Sequence, residues 1–380
     1  MTKDSDNDPL KTGGALGVLA GVDSDATDRL LGRTLGDYEI LDLIAAGGMG
    51  RVYRARRADG SFEREVAVKV SAATGLSSEL QSRFAQEQSV LAGLNHPNVC
   101  QLYDAHVSDE GWPYIVMELV DGQNIVDYCE SNALSTEQRL SLMVNVVDAV
   151  AYAHSRLVVH RDIKPANVLV NAGGQVKLLD FGIAKLLESD QALTRVTPLT
   201  PKYASPEQLL GQPITVASDI YQLGLLLFEV MTGAAATEQA SLTESIQRAA
   251  SGHAVTLPGE ARAKLDRELV LIIEQCLRAK PEERYRGASG LVDDLIALRD
   301  GYPVTAAGQS GLYRLRKFLG RNAAAATIAA AATVGAIAGT AWYTYQLDAA
   351  REEAERQAEV AQSEAEAAEE VIRFLTDVFE

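Results

Sequence analysis

The feature that most constrains this chain is an eight-residue stretch rich in functional side chains, followed by a second short motif. The stretch runs His160-Arg161-Asp162-Ile163-Lys164-Pro165-Ala166-Asn167, and the second motif is Asp180-Phe181-Gly182. Two carboxylates and one amide therefore lie close together in sequence. Carboxylate and amide oxygens suit a hard cation such as Mg²⁺. The pattern thus indicates a site that holds such a cation.

The spacing of apolar residues divides the chain into a β-rich part and a larger helical part. Alternating patterns predict four strands, at Tyr38–Ile44, Arg51–Arg57, Glu65–Val70 and Tyr114–Leu119. A helical spacing runs from Ser78 to Leu94, and helices dominate after about residue 124, for example from Thr136 to Ser155. We therefore expect an α+β fold with two lobes over residues 37–300, a small β-rich lobe with one key helix followed by a larger helical lobe.

Composition and charge argue against a nucleic-acid-binding protein, a disulfide framework and a zinc site. The chain has 52 Asp and Glu residues against 35 Lys and Arg residues, a formal net charge of -17. Binding to a phosphate backbone needs a basic face, so we expect no nucleic-acid partner. The three widely spaced cysteines form neither a disulfide framework nor a zinc pattern. Residues 1–36 are rich in Asp, Gly, Ser and Thr without a sustained period, which indicates a disordered acidic leader.

The C-terminal part contains an uncharged segment with charged flanks. Residues 301–322 are basic, and Asn322 to Leu347 is a run of 26 positions without a charge. As a helix this run would measure about 39 Å, more than the roughly 30 Å of bilayer hydrocarbon. Trp342, Tyr343 and Tyr345 near its far end resemble an interfacial belt. We expect a basic juxtamembrane segment at 301–322 and a single transmembrane helix at 323–347; a soluble Ala-rich helix is the alternative.

The charges around this segment also predict an orientation. The basic residues precede the span, so the positive-inside rule places residues 37–300 in the cytoplasm and the C-terminus outside the cell membrane. Residues 348–380 contain eleven acidic residues and three arginines and are rich in Ala and Glu, which favours an acidic extracytoplasmic helix. The helix ends on an apolar stripe, so we expect it to be the start of a further domain.

Residues 38 to about 299 resemble the eukaryotic-like (Hanks-type) Ser/Thr protein kinases that bacteria anchor in membranes. Six motifs in the family's order carry the resemblance, which covers about seven-tenths of the chain. It implies transfer of the γ-phosphate of ATP to Ser and Thr hydroxyls of proteins in membrane signalling. The cofactors implied are ATP and Mg²⁺, with Mn²⁺ as a substitute. The partners implied are protein substrates, a second copy of the chain for autophosphorylation, and the lipid bilayer.

The resemblance also implies a nucleotide site. Its glycine-rich loop follows G-x-G-x-x-G-x-V, with Ala45 in place of the first glycine. Small residues there let backbone N–H groups approach phosphates. The predicted ATP-binding residues are Ala45, Gly47, Gly48, Gly50, Val52, Ala67, Lys69, Met117, Glu118, Val120 and Leu169.

The resemblance assigns catalytic roles to the opening motif. Asp162 would accept the proton of the substrate hydroxyl, and Lys164 would mark Ser/Thr specificity and help neutralise the γ-phosphate. Asn167 and Asp180 would hold Mg²⁺. Lys69 would contact the α- and β-phosphates and pair with Glu87 in the active state.

Further residues are expected to regulate or support this site. Arg161 would bind a phosphorylated residue of the activation loop, the segment between Asp180 and Glu207. The best candidates for autophosphorylation there are Thr194 and Thr197, while Thr200 would contact Lys164 and Asp162. Glu207 is expected to pair with Arg284, and Asp219 to brace the catalytic loop. His160 and Phe181 are assigned to packing.

Two other functions stay open at this point. A catalytically weak, nucleotide-binding pseudokinase that serves as a receptor or scaffold draws support from Ala45, Leu199 and Ser205, which depart from the family pattern. A small-molecule phosphotransferase is disfavoured by the complete activation segment through Glu207, because that segment presents a peptide.

Overall fold

The computed structural model describes residues 30–47, 50–60, 64–71, 88, 91–181, 201–237, 241–308 and 310–379. The chain divides into two compact units, Met1–Gln309 and Ser310–Glu380. The first contains the two lobes that carry the site, and the second consists of helices.

The small lobe is built on a six-stranded antiparallel sheet with the strand order β1-β2-β3-β4-β6-β5. The strands are β1 (Thr34–Leu35), β2 (Tyr38–Gly47), β3 (Gly50–Arg57), β4 (Glu65–Ser71), β5 (Leu102–Val107) and β6 (Pro113–Glu118). Side chains alternate between the two faces of a strand. In β4 this alternation buries Val66, Val68 and Val70 in the small-lobe core, so Lys69 lies on the opposite face.

The ordered small lobe begins before the predicted boundary at residue 37. Leu30 and Leu35 are buried in its core, and β1 pairs with β2 through Leu35 and Tyr38. Leu30 and Leu35 lie in a segment of acidic, polar composition, so the sequence pattern did not mark them as core residues. The predicted helix from Ser78 to Leu94 lies mostly outside the described residues.

The large lobe follows after β6. Its small sheet contains β7 (Gly122–Asn124), β8 (Val168–Asn171) and β9 (Val176–Leu178). The helices are α1 (Ile125–Ser131), α2 (Thr136–Ser155), α3 (Pro206–Leu209), α4 (Val216–Thr232), α5 (Leu242–Ala250), α6 (Gly259–Arg262), α7 (Arg267–Cys276) and α8 (Ala288–Arg299). Helix α2 has the predicted bounds. The side chain of its N-cap residue, Ser135, accepts a hydrogen bond from Gln138 N–H, and Gln138 bonds back in a capping box.

Helix α4 forms the centre of the large lobe. It is buried along nearly its whole length, begins at the N-cap Thr215 and ends at Gly233, whose φ of +72° is typical of a helix C-terminus. Gly224 allows close contact with α7, because a Cβ atom there would lie 2.5 Å from Cβ of Cys276. The polar residues of α4 thus occupy a dry interior and must find partners inside the protein.

The second unit contains α9 (Gly311–Arg321) and α10 (Ala323–Phe379). Helix α10 has 57 residues and joins the predicted span and the predicted acidic helix without a break. Its Ala- and Glu-rich sequence after Gly339 has neither Gly nor Pro, so nothing there interrupts a helix. Among the described residues, one helical segment is long and apolar enough to cross a membrane, Ala323–Phe374, with a window of mean hydropathy 1.6.

Candidate active site

The loop from His160 to Asn167 is fixed by a carboxylate from α4. Asp219 is fully buried, and it accepts hydrogen bonds from the backbone N–H groups of His160 at 2.7 Å and Arg161 at 2.8 Å. Nε2 of His154 lies 2.8 Å from the same carboxylate. Arg161 has a φ of +70°, a conformation that costs a non-glycine residue about 1 kcal/mol or more. Asp219 thus lies where it can hold a strained loop, the role that the sequence predicts.

Two glutamines, which no sequence motif marks, complete this support. Gln222 accepts from the Ile163 N–H at 2.8 Å and donates to the Arg161 carbonyl at 3.2 Å. Gln208 in α3 donates to the same carbonyl at 2.8 Å. Gln222 follows Asp219 by three positions and so shares its helix face. A second polar residue at that spacing in an apolar helix is the sequence signal that would have found it.

Asp162, Lys164 and Asn167 form a bonded cluster within this loop. Lys164 Nζ lies 2.8 Å from Asp162 Oδ2, and Asn167 Nδ2 donates to the same oxygen at 3.0 Å. Asn167 Nδ2 also lies 2.7 Å from the Asp162 backbone carbonyl oxygen. A carbonyl oxygen can only accept, so the Asn167 amide turns its NH₂ group toward Asp162 and its own oxygen away.

The donor set beside this cluster suits a hard cation. Asn167 offers its amide oxygen, and Asp180 offers a carboxylate. Within the described ranges, no group of three or more His, Cys, Asp or Glu side chains could hold a metal ion by itself. Mg²⁺ commonly takes one or two protein ligands and completes its shell with phosphate oxygens and water. The residues present therefore fit Mg²⁺ bound together with phosphates.

Lys69 and Asp180 lie in direct contact. Lys69 Nζ is 2.8 Å from Asp180 Oδ2, and both side chains are partly buried. Asp180 has a φ of +53°, so it too adopts a left-handed backbone conformation. The sequence predicts Glu87 as the partner of Lys69, but Glu87 lies outside the described residues. The structure thus brings together the cation and the carboxylate that are predicted to face the phosphates.

His160 is buried, and its ring contacts the backbone of Leu179 and of Asp162. Its Nε2 lies 2.7 Å from the Leu179 carbonyl, and its Nδ1 accepts a hydrogen bond from the Asp162 N–H at 3.3 Å. Its ring packs 4.7 Å from that of Phe181. Burial lowers the pKa of the His160 imidazole, although Asp219 opposes this shift. A neutral ring with both nitrogens bonded agrees with the packing role predicted for His160 and Phe181.

The sequence pattern of the protein kinase domain matches residues 38–294. The chain belongs to the protein kinase family. The family membership and the two-lobed fold predicted from the sequence are thereby confirmed. Members of this family generally use ATP and Mg²⁺, act on proteins and often phosphorylate themselves.

Curated relatives of this kinase come from several bacteria. It is 33% identical over 276 residues to the serine/threonine-protein kinase PknB of Mycobacterium leprae, with 70% of this chain and 43% of the relative covered. It is 34% identical over 277 residues to PknB of Mycobacterium tuberculosis, with the same coverage. It is 40% identical over 208 residues to the serine/threonine-protein kinase PrkC of Bacillus subtilis, with 54% and 32% covered. The chain therefore spans less than half the length of these relatives.

The predicted glycine-rich loop of the kinase joins β2 to β3. Ala45 pairs with Val52, and Gly47 pairs with Gly50, while Gly48 lies outside the described residues. Gly50 has a φ of +135°, and a Cβ atom there would lie 2.1 Å from the Val70 carbonyl oxygen. Only glycine fits this position. Ala45 sits in a paired strand with φ in the ordinary range, so the methyl group in place of the family's glycine is accommodated.

The predicted adenine-binding residues lie where the small lobe passes into the large one. Ala67 pairs with Met117 across β4 and β6, and Leu169 lies in β8. The Glu118 N–H donates to the Gln101 carbonyl at 2.9 Å, so this group already has a partner within the protein. Val120 follows the end of β6, beyond the paired residues of that strand.

The Glu118 carboxylate, where the small lobe passes into the large one, also has a partner within the protein. Glu118 Oε2 lies 2.9 Å from Lys177 Nζ in β9, and the Glu118 carbonyl accepts the Cys100 thiol at 3.5 Å. Burial raises the pKa of Cys100 to about 12, with a smaller contribution from the Glu118 charge, so the thiol stays protonated. These contacts link β6 to β9, which leads into Asp180.

The expected pair of Glu207 and Arg284 lies in the large-lobe interior. Arg284 Nη1 and Nη2 donate to the two Glu207 oxygens at 2.8 and 3.0 Å, and both residues are buried. Ser218 Oγ donates to Glu207 at 2.6 Å. Burial alone would raise the pKa of the Glu207 carboxyl, but the hydrogen bonds from Arg284 and Ser218 outweigh it and lower that pKa.

Ser205, which replaces the family's usual Ala, has a structural role. It is fully buried at the N-cap of α3, where its backbone N–H donates to Gln208 Oε1 at 2.9 Å. Its hydroxyl accepts from the Gln208 N–H at 3.4 Å. The hydroxyl therefore caps a helix, and this departure gives no support to a pseudokinase.

The activation-loop predictions concern residues that the structure does not describe. Thr194, Thr197, Leu199 and Thr200 lie in the segment 182–200, outside the described residues. After this segment, Lys202 Nζ lies 3.3 Å from Glu229 Oε1, and the Tyr203 hydroxyl donates to Glu229. These contacts anchor the C-terminal end of the segment to α4.

Proposed function

We propose that this chain is an ATP-dependent protein Ser/Thr kinase that transfers the γ-phosphate to hydroxyls of proteins, including its own activation loop. The observation that carries the proposal is the cluster in which Asp162 Oδ2 contacts both Lys164 Nζ and Asn167 Nδ2. In protein kinases an Asp in this loop accepts the substrate proton, and an Asn five positions later holds Mg²⁺.

The residues of the chain act mainly by position and charge. Lys164 Nζ and Asn167 Nδ2 both contact Asp162 Oδ2, so the carboxylate is oriented before a hydroxyl arrives. It would orient that hydroxyl and accept its proton as the hydroxyl oxygen bonds to the γ-phosphorus and the bond from that phosphorus to ADP breaks. Lys164 lies beside Asp162 Oδ2 and would help neutralise the charge of the γ-phosphate during transfer. Such fixed charges lower the barrier without reorganising during the reaction.

Lys69, Asn167 and Asp180 would hold the cofactor. The Lys69 ammonium suits phosphate oxygens, and the oxygens of Asn167 and Asp180 suit Mg²⁺. When bound, Mg-ATP supplies the phosphoryl group, and its cation offsets the phosphate charge. Backbone groups in the segment from Glu118 to Val120 would form hydrogen bonds with the adenine base. Gly47, Gly48 and Gly50 would cover the phosphates.

The activation loop would regulate this site. We propose that Thr194 or Thr197 becomes phosphorylated and that Arg161, beside Asp162, binds the phosphate through its planar fork. Thr200 would contact Lys164 and Asp162, and Glu87 would pair with Lys69 in the active state. Mapping phosphorylated residues after incubation with ATP tests these assignments, and labelling confined to residues outside 182–200 would contradict them.

A transfer assay tests the activity. The full chain, incubated with γ-labelled ATP and Mg²⁺, should label itself and a generic protein substrate on Ser or Thr, and Asp162→Asn should remove the signal. Asp293→Asn makes the same chemical change at an exposed position of α8 and should leave the label unchanged. A folded wild-type chain that binds ATP without transferring label would refute the proposal and favour a pseudokinase.

We also propose that residues 323–347 cross the cell membrane once, with the kinase domain in the cytoplasm and the C-terminus outside. Four basic residues and no acidic ones lie in 301–322, whereas acidic residues dominate 348–380. This asymmetry favours a cytoplasmic location for the basic flank. The exposed aromatic residues Trp342, Tyr343 and Tyr345 would lie at the outer interface.

Protease access tests this topology. In sealed, right-side-out bacterial spheroplasts, added protease should remove an epitope placed after Glu380 and leave the kinase domain intact. Protection of both ends, or cleavage of the kinase domain in intact spheroplasts, would contradict the proposed orientation.

A further inference from the structure

Helix α9 is amphipathic, and the side chains of its apolar face are exposed. Its apolar side chains recur at the spacing of one helix face, and they remain open to solvent: Leu312 is 80% exposed, Leu315 52%, Phe318 58% and Leu319 44%. Large apolar side chains in such a row normally lie against another surface.

Basic residues dominate the other side of α9. Arg314, Lys317 and Arg321 are three and four positions apart, so they share a face opposite the leucines. Arg316 lies at the border between the two faces. The segment from 301 to 322 contains four basic residues and no Asp or Glu, so its net charge is positive.

The position of α9 directly before the proposed span favours a bilayer surface as its partner. The helix ends at Asn322, whose backbone N–H and side-chain Nδ2 both lie 3.0 Å from the Phe318 carbonyl, and α10 begins at the next residue. A helix with an apolar face, a basic face and a membrane span directly after it matches the surface of an anionic bilayer. The leucines would enter the boundary of the acyl chains, and the arginines would face the phosphate groups.

We propose that α9 binds the bilayer surface through anionic phospholipid headgroups and so fixes the start of the kinase's juxtamembrane segment to the membrane plane. The proposal rests on the proposed span, because that span places α9 at the interface. An isolated helix of this length frays readily in water, so bilayer contact should stabilise it.

Hydrogen exchange of the full chain in lipid nanodiscs tests the proposal. One set of nanodiscs contains phosphatidylcholine alone, and the other contains phosphatidylcholine mixed with phosphatidylglycerol. Amides of 311–321 should exchange at least about tenfold more slowly in the anionic nanodiscs. The difference should shrink in about 1 M NaCl, where the Debye length is about 3 Å. Amides of 323–347 should be protected in both.

Charge-reversal variants locate the effect. The double substitution Arg314→Glu and Arg316→Glu alters two exposed residues of α9 and should abolish the difference between the two lipids. The matched control, Arg351→Glu with Arg356→Glu, alters exposed residues in α10 beyond the span and should keep the difference. Equal thermal unfolding of the kinase domain in both variants shows that the fold is intact.

Each remaining result separates the two proposals. Equal protection of 311–321 in both lipids would mean that anionic headgroups do not hold the helix, and it would overturn the proposal. Fast exchange of 311–321 beside a protected 323–347 would overturn the lipid contact and leave the span intact. Fast exchange of 323–347 with lipid-dependent protection of 311–321 would overturn the span and support the surface contact.

Discussion

Replacing Glu207 by Gln removes one charge from the buried pair that ties α3 to the end of the large lobe. Gln has nearly the same volume and keeps one acceptor oxygen, so the substitution changes charge with little change in packing. Arg284 remains buried, together with the Tyr221 ring that its guanidinium covers at 4.9 Å. The perturbation therefore isolates the electrostatic part of the contact.

The expected loss follows from the fate of Arg284. Breaking a buried ion pair by removing one partner typically costs about 3–5 kcal/mol, because the other charge stays uncompensated. Arg284 also donates to backbone carbonyls, namely those of Ala217, Arg278 and Ala279. These bonds partly compensate the Arg284 charge, so we expect the substitution to lower the unfolding free energy by about 3 kcal/mol. In a domain of this size that lowers Tm by about 6–12 °C.

The loss should depend on pH with a definite sign. Burial would raise the pKa of Glu207, but its bonds to Arg284 and Ser218 bring it below the ordinary value of 4.5. A carboxyl with a depressed pKa contributes stability that is complete above 4.5 and is lost as the pH falls through the folded pKa. Because Gln does not titrate, the stability difference between wild type and Glu207→Gln should shrink below that pH.

Calorimetry of both chains across pH measures this difference, with Glu260→Gln as the control. Glu260 is exposed in α6, so its substitution should change Tm little. A loss under about 1 kcal/mol near neutral pH would show that the pair is worth no more than a surface contact. A loss that persists unchanged in acid would show that the Glu207 charge is not its source.

Three further substitutions follow from the same contacts. Asp219→Ala leaves two buried backbone N–H groups without their acceptor, so kcat should fall about a hundredfold or more while nucleotide affinity, measured by titration, changes little. Gly50→Ala should raise the KM for ATP at least about tenfold, because its Cβ would meet a backbone carbonyl at 2.1 Å; the control Gly259→Ala in α6, with no atom within 4 Å, should stay near wild type. Gly224→Ala forces two packed helices apart and should lower the unfolding free energy by about 1–3 kcal/mol, measured by thermal unfolding.

The elements that sequence predicts well are those with local signals. Helix α2 has the predicted bounds because its apolar spacing is regular and Ser135 caps its start. Strands β2, β3 and β4 lie at the predicted places, since each alternates and ends at glycines or charged turns. The loop containing Asp162 was found because its residue types and spacing form a compact motif. In all these cases the information lies within about 20 residues.

The parts that escaped prediction depend on contacts between distant residues. Gln222 and Arg161 are 61 positions apart, and Gln208 and Arg161 are 47 apart, so no local pattern reveals their hydrogen bonds. Strand β1 escaped for another reason: it has two residues, too few to show an alternating pattern, and Leu35 pairs with Tyr38 of β2. Tertiary packing, which a single sequence does not display, decides such elements.

These long-range bonds connect α3 and α4 to the loop that contains Asp162. Gln208 lies in α3, directly after the activation segment, and donates to the carbonyl of Arg161, whose N–H is held by Asp219. Gln222 donates to the same carbonyl and lies 3.0 Å from Gln208 Oε1. The residue before Asp162 is therefore bonded on both sides of its strained backbone to α3 and α4. A displacement of α3 must break or carry along the bond to Arg161, so the segment that we propose to present the peptide is mechanically joined to Asp162, the proposed proton acceptor.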